Sequence, residues 1–580
     1  MKKIIFFTLL FTAALAFSQP GFMWTKQIGG KLADEGVAIA TDAAGNVVTA
    51  GNIKDTVDAD PGPGSQYFYG DQLDDIYISK MTPGGTLIWA RQISAMNSGY
   101  INVSGMSIDA SGNIVFAGYY TNTVDFDPGA GTYTLSTPGT DGFACCMDAN
   151  GNFKWAKTFG GSTTTTATYV QGMSVGRKGD VLLTGSFKET ADFNPGSGTY
   201  TMTALGNGDA FVCKLDSMGA FIWAQQFGDT SYYDVNTVDD SGYKITTDAN
   251  DNIYVSGSFE GRTDFDGSSG TFTMQASSNR ADLFMVKLTA TGNFVWARQF
   301  SGPDVERVNA LTVSNTGEIY FTGLFQSSID VDPGPSQMMF IATTLPNSWY
   351  DVFILKLNNN GNLIWAKQLT GDKTKTANGL HVDNSGNILL TGTFYDKVDF
   401  DPGPGTHTLM ATCPTNIYIL GLDAGGNFAW VYQMGGIFSF ISDMNTGKAI
   451  TTDMSGNIYT TGKFAGTGDM DPTSGTYTLS TNDNYPDIYI TKLGSAVGIP
   501  KFSSTEEAVQ IFPNPTTGVL RIQRIAANTS VKVYNILGTE VMNPGTLSGN
   551  ELNLSPLPKG IYFLEINTGT NVVTKKIVKE

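Results

Sequence analysis

Seven tryptophans, Trp24, Trp89, Trp155, Trp223, Trp296, Trp365 and Trp430, recur along the chain of 580 residues, each opening a similar stretch such as WARQ or WAKQ. The successive intervals are 65, 66, 68, 73, 69 and 65 residues. A fixed period of this size constrains the fold before any single motif does, because a repeat unit can bury its apolar face only against its neighbours. The period suits one four-stranded antiparallel sheet plus one long loop, the unit of a β-propeller blade.

Two hairpins can be read inside each repeat. The first has a turn followed six residues later by glycine: Gly45-Asn46 to Gly51, Gly112-Asn113 to Gly118, Gly179-Asp180 to Gly185, Asp251-Asn252 to Gly257, Gly317-Glu318 to Gly323, Gly386-Asn387 to Gly392 and Gly456-Asn457 to Gly462. Gly-Asn supplies the positive φ of a tight hairpin, and the residues between are β-branched and aromatic. The second hairpin begins on runs such as DIYISK (75–80) or DVFILK (351–356), turns at a glycine four residues before the tryptophan, and carries that tryptophan on its outgoing strand. One tryptophan per repeat at one strand position reads as packing between blades rather than as a ligand platform. The last repeat reaches DIYITK (487–492) and lacks a tryptophan strand of its own. Phe22 to Ile28 supplies it, which ties the chain ends together and leaves no open edge. The expected fold is all-β, a seven-bladed β-propeller over residues 22–496.

Between the hairpins lies an insertion opening on acids two residues apart: Asp58/Asp60, Asp125/Asp127, Asp192/Asn194, Asp264/Asp266, Asp330/Asp332, Asp399/Asp401 and Asp469/Asp471. Pro-Gly follows in five repeats, whereas the fourth has Gly267 in place of proline. Two readings stand. Aspartate can cap a turn through its own backbone while proline and glycine set the flanking φ; or carboxylates at i and i+2, with loop carbonyls, can form oxygen sites for Ca²⁺. Calcium is the one cofactor the sequence suggests. The insertions join second to third strands and so crown one face of the ring, where Tyr67, Tyr69, Tyr133, Tyr200, Trp349 and Tyr350 are candidate ligand contacts for a glycan or a surface protein.

Catalytic constellations are scarce. The two histidines, His381 and His407, stand apart from any serine or cysteine nucleophile motif. A carboxylate-pair hydrolase needs only two positioned acids, yet every repeat offers the same pair, so no catalytic residue is assigned. Cys145 and Cys213 each lie ten residues before their tryptophan and could approach one another across adjacent blades; with Cys146 and Cys413 they otherwise read as buried thiols.

Lys2 and Lys3, an apolar run from Ile4 to Ala16, and small residues at Ala16 and Ser18 read as a signal peptide over residues 1–18. No other apolar run approaches the length needed to span a bilayer. The net charge of −18 excludes nucleic acid as a partner, since few phosphates could be neutralised.

The Gly-Asn hairpins, the DxDPG insertions and the WAKQ strands together resemble the SBBP-type β-propeller repeats of bacterial secreted proteins. After a linker over 497–508, VQIFPNPTTGVL (509–520), VKVYNILGTEV (531–541), LSPLPKGIYFLEI (554–566) and the terminal KKIVKE (575–580) resemble the type A C-terminal (Por) sorting domain of the type IX secretion system. The resemblance implies a small Ig-like β-sandwich over 509–580. It also implies export by type IX machinery from a Gram-negative bacterium to the cell surface or beyond. Pro513, Asn514, Pro515, Gly518, Gly538, Lys559, Gly560 and Tyr562 fall on the turns and strand that such machinery would read. The expected role is a non-enzymatic binding or scaffold module. The alternative is a polysaccharide-acting hydrolase or lyase on the same scaffold, and a quinoprotein-like oxidoreductase is a weaker third.

Overall fold

The computed structural model describes residues 17–580 apart from 71, 229–239, 268–269, 278–279, 344–348, 438–443, 482–484, 495–509, 524–528, 536–539, 547–549 and 568–571. Most of the expected signal peptide, the linker and Gly538 therefore lie outside the described residues. The chain divides into two compact units between residues 495 and 496.

In the first unit one pattern recurs seven times: four antiparallel strands, each hydrogen-bonded to the next in chain order. The first sheet is Glu35–Thr41, Val47–Ile53, Asp75–Met81 and Leu87–Ile93. In the seventh, Thr446–Thr452, Ile458–Phe464 and Asp487–Gly494 take Gly21–Ile28 as their fourth strand, with Trp24 opposite Lys492. First strands of consecutive sheets touch around a closed circuit, the seventh meeting the first. Second and third strands such as Val47–Ile53 and Asp75–Met81 are buried along their whole length, as strands covered on both faces must be. The apolar core lies between sheets: Val48, Ile76 and Ile78 of the first sheet join Phe116, Phe143 and Cys145 of the second in one cluster, and Ile488 and Ile490 close the circuit against Val47 and Tyr77.

The first hairpin differs from a two-residue Gly-Asn turn. Its loop is Asp42-Ala43-Ala44-Gly45-Asn46, in which Gly45 takes φ 78° while Asp42 accepts the amides of Ala44 and Asn46, both at 2.9 Å, and the Asn46 side chain at 2.9 Å. The asparagine serves as a tether rather than a second positive-φ residue. The glycine six residues on has a different cause. Every first strand carries a bulge, as between Gly36 and Ala38 or Gly447 and Ala449, and the bulge thrusts a backbone carbonyl at the second strand. A Cβ on Gly51, Gly118, Gly185, Gly257, Gly323, Gly392 or Gly462 would lie only 1.7–2.1 Å from that oxygen.

The tryptophans lock neighbouring sheets. Trp89 Nε1 donates to Ala149 O at 3.3 Å and Trp155 Nε1 to Ser217 O at 3.2 Å, each carbonyl belonging to the next sheet's second hairpin. The rings lie on that hairpin's glycine: a Cβ on Gly151 or Gly219 would stand 3.0 Å from the ring. Trp430 has no such hairpin ahead of it, because the chain ends interrupt the seventh sheet there. It rests on Phe17 instead, with ring centroids 5.5 Å apart, while Tyr432 donates to Pro20 O.

The second unit holds two small antiparallel sheets, Gln510–Phe512 with Val519–Gln523 and Glu551–Asn553, and Glu540–Thr546 with Ser530–Asn535, Gly560–Asn567 and Val572–Lys579. Leu520, Ile522, Val533, Leu564 and Ile577 form its core.

Candidate functional site

The insertions form short hairpins such as Thr56–Asp58 with Tyr67–Tyr69. Five of them pair with the preceding sheet just beyond its tryptophan strand: Gly29 bridges Asp58, Gly160 bridges Asp192, Ser301 bridges Asp330, Thr370 pairs with Asp399 and Gly435 with Asp469. These loops therefore stand on the face that carries the connections between sheets.

The paired acids are bound to their own loops. Oδ1 of Asp58, Asp125, Asp264, Asp330, Asp399 and Asp469 accepts the amide two residues on at 3.0–3.2 Å and the amide eight residues on at 2.8–2.9 Å. Asp60, Asp127, Asp332, Asp401 and Asp471 each accept the amide two residues on at 2.8–2.9 Å. Among the described residues no group of three or more His, Cys, Asp and Glu side chains converges as a metal ligand set.

The candidate ligand aromatics fall into two groups. Tyr133 lies over Phe153 with centroids 4.8 Å apart and donates to Ala156 O at 3.3 Å, and Tyr200 lies over Phe221 at 5.0 Å and donates to Ala224 O at 3.1 Å, so both have a structural seat. His407 occupies the same seat, stacked on Phe428 at 4.6 Å. Tyr67 and Tyr69 are 54% and 73% exposed with ring centroids 6.4 Å apart. Trp349 is partly exposed, and the Tyr350 carbonyl accepts the Lys375 amide at 3.3 Å. His381 is enclosed, its Nε2 2.9 Å from Thr452 Oγ1, and burial holds it down to about 4. The four cysteines are free thiols.

One insertion departs from the rest. Beside Gly267 a cavity of about 400 Å³ opens, lined by Tyr200, Leu205, Gln225, Gln226, Asp264 and Asp266 among others. A Cβ on Gly267 would already lie 3.2 Å from Gln225 Oε1, so the proline that other repeats place here would intrude. Sequence reading noted the missing proline but could not place it against the third repeat's tyrosine.

A second polar feature was not legible as such. At four seams a buried polar residue at the start of a third strand (Asp282, Asp351, Asn416, Asp487) is matched by a buried polar residue at the start of the next sheet's first strand (Glu306, Lys375, Asn445, Asp34). The fifth seam carries Asp351 and Lys375, both fully enclosed, 2.5 Å apart. The sixth carries Asn416 and Asn445. At the fourth, burial and the charge of Asp282 push Glu306 up to about 9, and at the seventh burial, reinforced by Asp487, pushes Asp34 up to about 8.

In the tail, Asn514 is clamped to the last strand: Nδ2 donates to Lys576 O at 2.7 Å and Oδ1 accepts the Val578 amide at 2.8 Å. Thr516 accepts the Glu580 amide at 2.9 Å, Gly518 O the Leu554 amide at 2.6 Å, and Tyr562 donates to Pro558 O at 2.9 Å. The PNPTTG motif is thus the turn that seats the chain's final strand. Pro513, Pro515, Lys559 and Gly560 stand on the same turns.

A closed circuit of antiparallel sheets, with tryptophans seated on the neighbouring hairpin at six of the seven junctions, defines a β-propeller. Residues 510–580 match the secretion system C-terminal sorting domain family, and this tail marks a β-propeller protein for type IX export. Over 481 residues the chain is 21% identical to an uncharacterized WD repeat-containing protein of Acanthamoeba polyphaga mimivirus; the match covers 71% of this chain and 34% of that protein, so the chain spans about a third of its relative's length. Among solved structures it is similar to a quinohemoprotein alcohol dehydrogenase from Pseudomonas putida, at 10% identity over 87% of this chain and 80% of that one, with a TM-score of 0.37. It is also similar to a protein of unknown function from Bacteroides caccae, at 8% identity over 62% and 89%, with a TM-score of 0.29. No helix among the described residues is long and apolar enough to cross a membrane.

Proposed function

We propose that the chain is a secreted, seven-bladed propeller that captures a carbohydrate on its loop-crowned face without turning it over. The cavity beside Gly267 carries this reading. It joins a half-exposed tyrosine face to amide and carboxylate groups, the mixture of stacking surface and oriented polar atoms that a polar, sugar-sized ligand requires. The repeated acids support binding over hydrolysis, because their oxygens accept backbone amides of their own loops.

The test is a glycan and polysaccharide binding screen of the exported protein, with released sugars assayed in the same mixtures. A bound glycan that is lost in Tyr200→Ala and in Gly267→Pro, with no product formed, is the expected result. Gly267→Pro imports the residue that six other repeats carry, so its fold should survive. Sugar release by the parent protein would overturn the non-enzymatic reading, and capture undiminished in both variants would overturn the assignment of the pocket.

A further inference from the structure

The cavity of about 400 Å³ beside Gly267 offers hydrogen-bond acceptors rather than donors. Tyr200 Oη donates to Ala224 O at 3.1 Å, Gln225 Nε2 to Gly292 O at 2.7 Å, and Gln226 Nε2 to Thr203 O at 2.9 Å and Asp209 Oδ2 at 2.5 Å. With these side-chain donors turned to protein acceptors, the capacity left in the lining lies mainly on oxygens. Asp264 accepts the Asp266 and Phe272 amides through Oδ1, at 3.0 and 2.8 Å, which leaves Oδ2 for a further donor. Gln225 Oε1 is buried with no donor opposite it and lies on the Gly267 side, 3.2 Å from where a Cβ would stand. Its carbonyl dipole adds to the negative potential there.

The charges point the same way. Asp264 and Asp266 put two carboxylates into one lining, and no lysine, arginine or histidine stands among the described residues there. Arg262, two residues before Asp264, directs its guanidinium at Thr273 Oγ1, 3.5 Å away. The surrounding chain carries a net charge of −18, which deepens the potential of a concave site. Tyr200 contributes a ring that is 42% exposed, and the face of such a ring attracts a cation. An ammonium group has three N–H donors and no acceptor, so it matches this lining, whereas a uronic acid or a sulfated sugar would set like charges against each other.

On the carbohydrate reading of this cavity, on which the inference rests, we propose that the sugar it captures is an unacetylated amino sugar, whose primary ammonium is held by the carboxylates of Asp264 and Asp266 beside the Tyr200 ring.

Calorimetric titration of the exported protein with the β-1,4-linked glucosamine disaccharide, with its N-acetylated counterpart and with digalacturonate checks this. One saturable site per chain is expected for the amine, about tenfold or more tighter than for either other sugar, with an advantage that shrinks as salt rises. Asp264→Asn keeps an oxygen for the two amides. Asp266→Asn installs the residue that the third repeat carries as Asn194, whose Oδ1 accepts the Gly196 amide at 3.0 Å, so both variants should fold. Each should erase most of the preference for the amine and leave the affinity for the N-acetylated sugar unchanged. Asp127→Asn, the same change in another insertion, should alter none of the three affinities, which separates the cavity from the general negative charge of the chain. An N-acetylated or acidic disaccharide bound as tightly as the amine, or a preference that survives both cavity variants or falls equally in Asp127→Asn, overturns the inference and leaves the carbohydrate reading standing. A protein that binds no sugar in the wider screen loses both.

Discussion

The fifth seam offers a double swap whose outcome can be worked from its neighbours. Asp351 and Lys375 are fully enclosed and 2.5 Å apart. Asp351 also accepts the Thr343 amide at 3.0 Å and the Gln368 side chain at 2.8 Å, while Lys375 Nζ donates to Lys373 O at 3.0 Å. Truncating one member of a buried ion pair strands the other charge and costs about 3–5 kcal/mol. Since Asp351 keeps its other donors, Lys375→Met should fall near the lower end, about 3 kcal/mol. The adjoining seam shows that an uncharged pair is compatible with the same geometry: Asn445 Nδ2 donates to Thr415 O at 2.8 Å and Gly436 O at 3.0 Å, opposite Asn416. Asp351→Asn combined with Lys375→Met should therefore recover to within about 1 kcal/mol of the parent or exceed it, because no charge remains to be desolvated. Equilibrium denaturation of the parent, the singles and the double closes the cycle. A Lys375→Met variant as stable as the parent, or a double as damaged as that single, would refute the reasoning.

Three further outcomes follow from the geometry. Glu306 is raised to about 9 by burial and by Asp282, so the stability it contributes is complete below the ordinary glutamate range and is lost as pH rises through about 9; Glu306→Gln should remove most of that decline and gain about 2–4 kcal/mol near pH 7.5, and urea midpoints that fall equally with pH in both proteins would contradict it. Gly151→Ala must take φ 75° against the Trp89 ring, whereas Gly456→Ala takes φ 77° with nothing within 4 Å; the second should cost about 1–2 kcal/mol for backbone strain alone and the first about 1–3 kcal/mol more, and equal losses would deny the tryptophan its seat. Calorimetry with Ca²⁺ at millimolar concentration should show no saturable heat, since the insertion acids accept amides of their own loops; saturable uptake lost in Asp399→Asn would reverse that expectation.

What the sequence discloses here, and what it withholds, divides by the range of the interaction. The tryptophans, the turn glycines and the Asp-Gly-Asn loops act within one repeat or on the next, so each leaves a periodic trace. The second-strand glycines left a trace without its explanation: their absolute recurrence reads as turn chemistry until the bulge is seen pressing the Asn102 carbonyl within 1.8 Å of a Cβ on Gly118. The seam pairs are harder still, because Asp34, Glu306, Lys375 and Asn445 hold one structural position with four chemistries, and a position that varies in charge has no consensus to find. In a repeat fold the consensus specifies the scaffold, and a residue that breaks it, as Gly267 does on the loop face, is where a particular ligand can be distinguished from the architecture that six other sheets share.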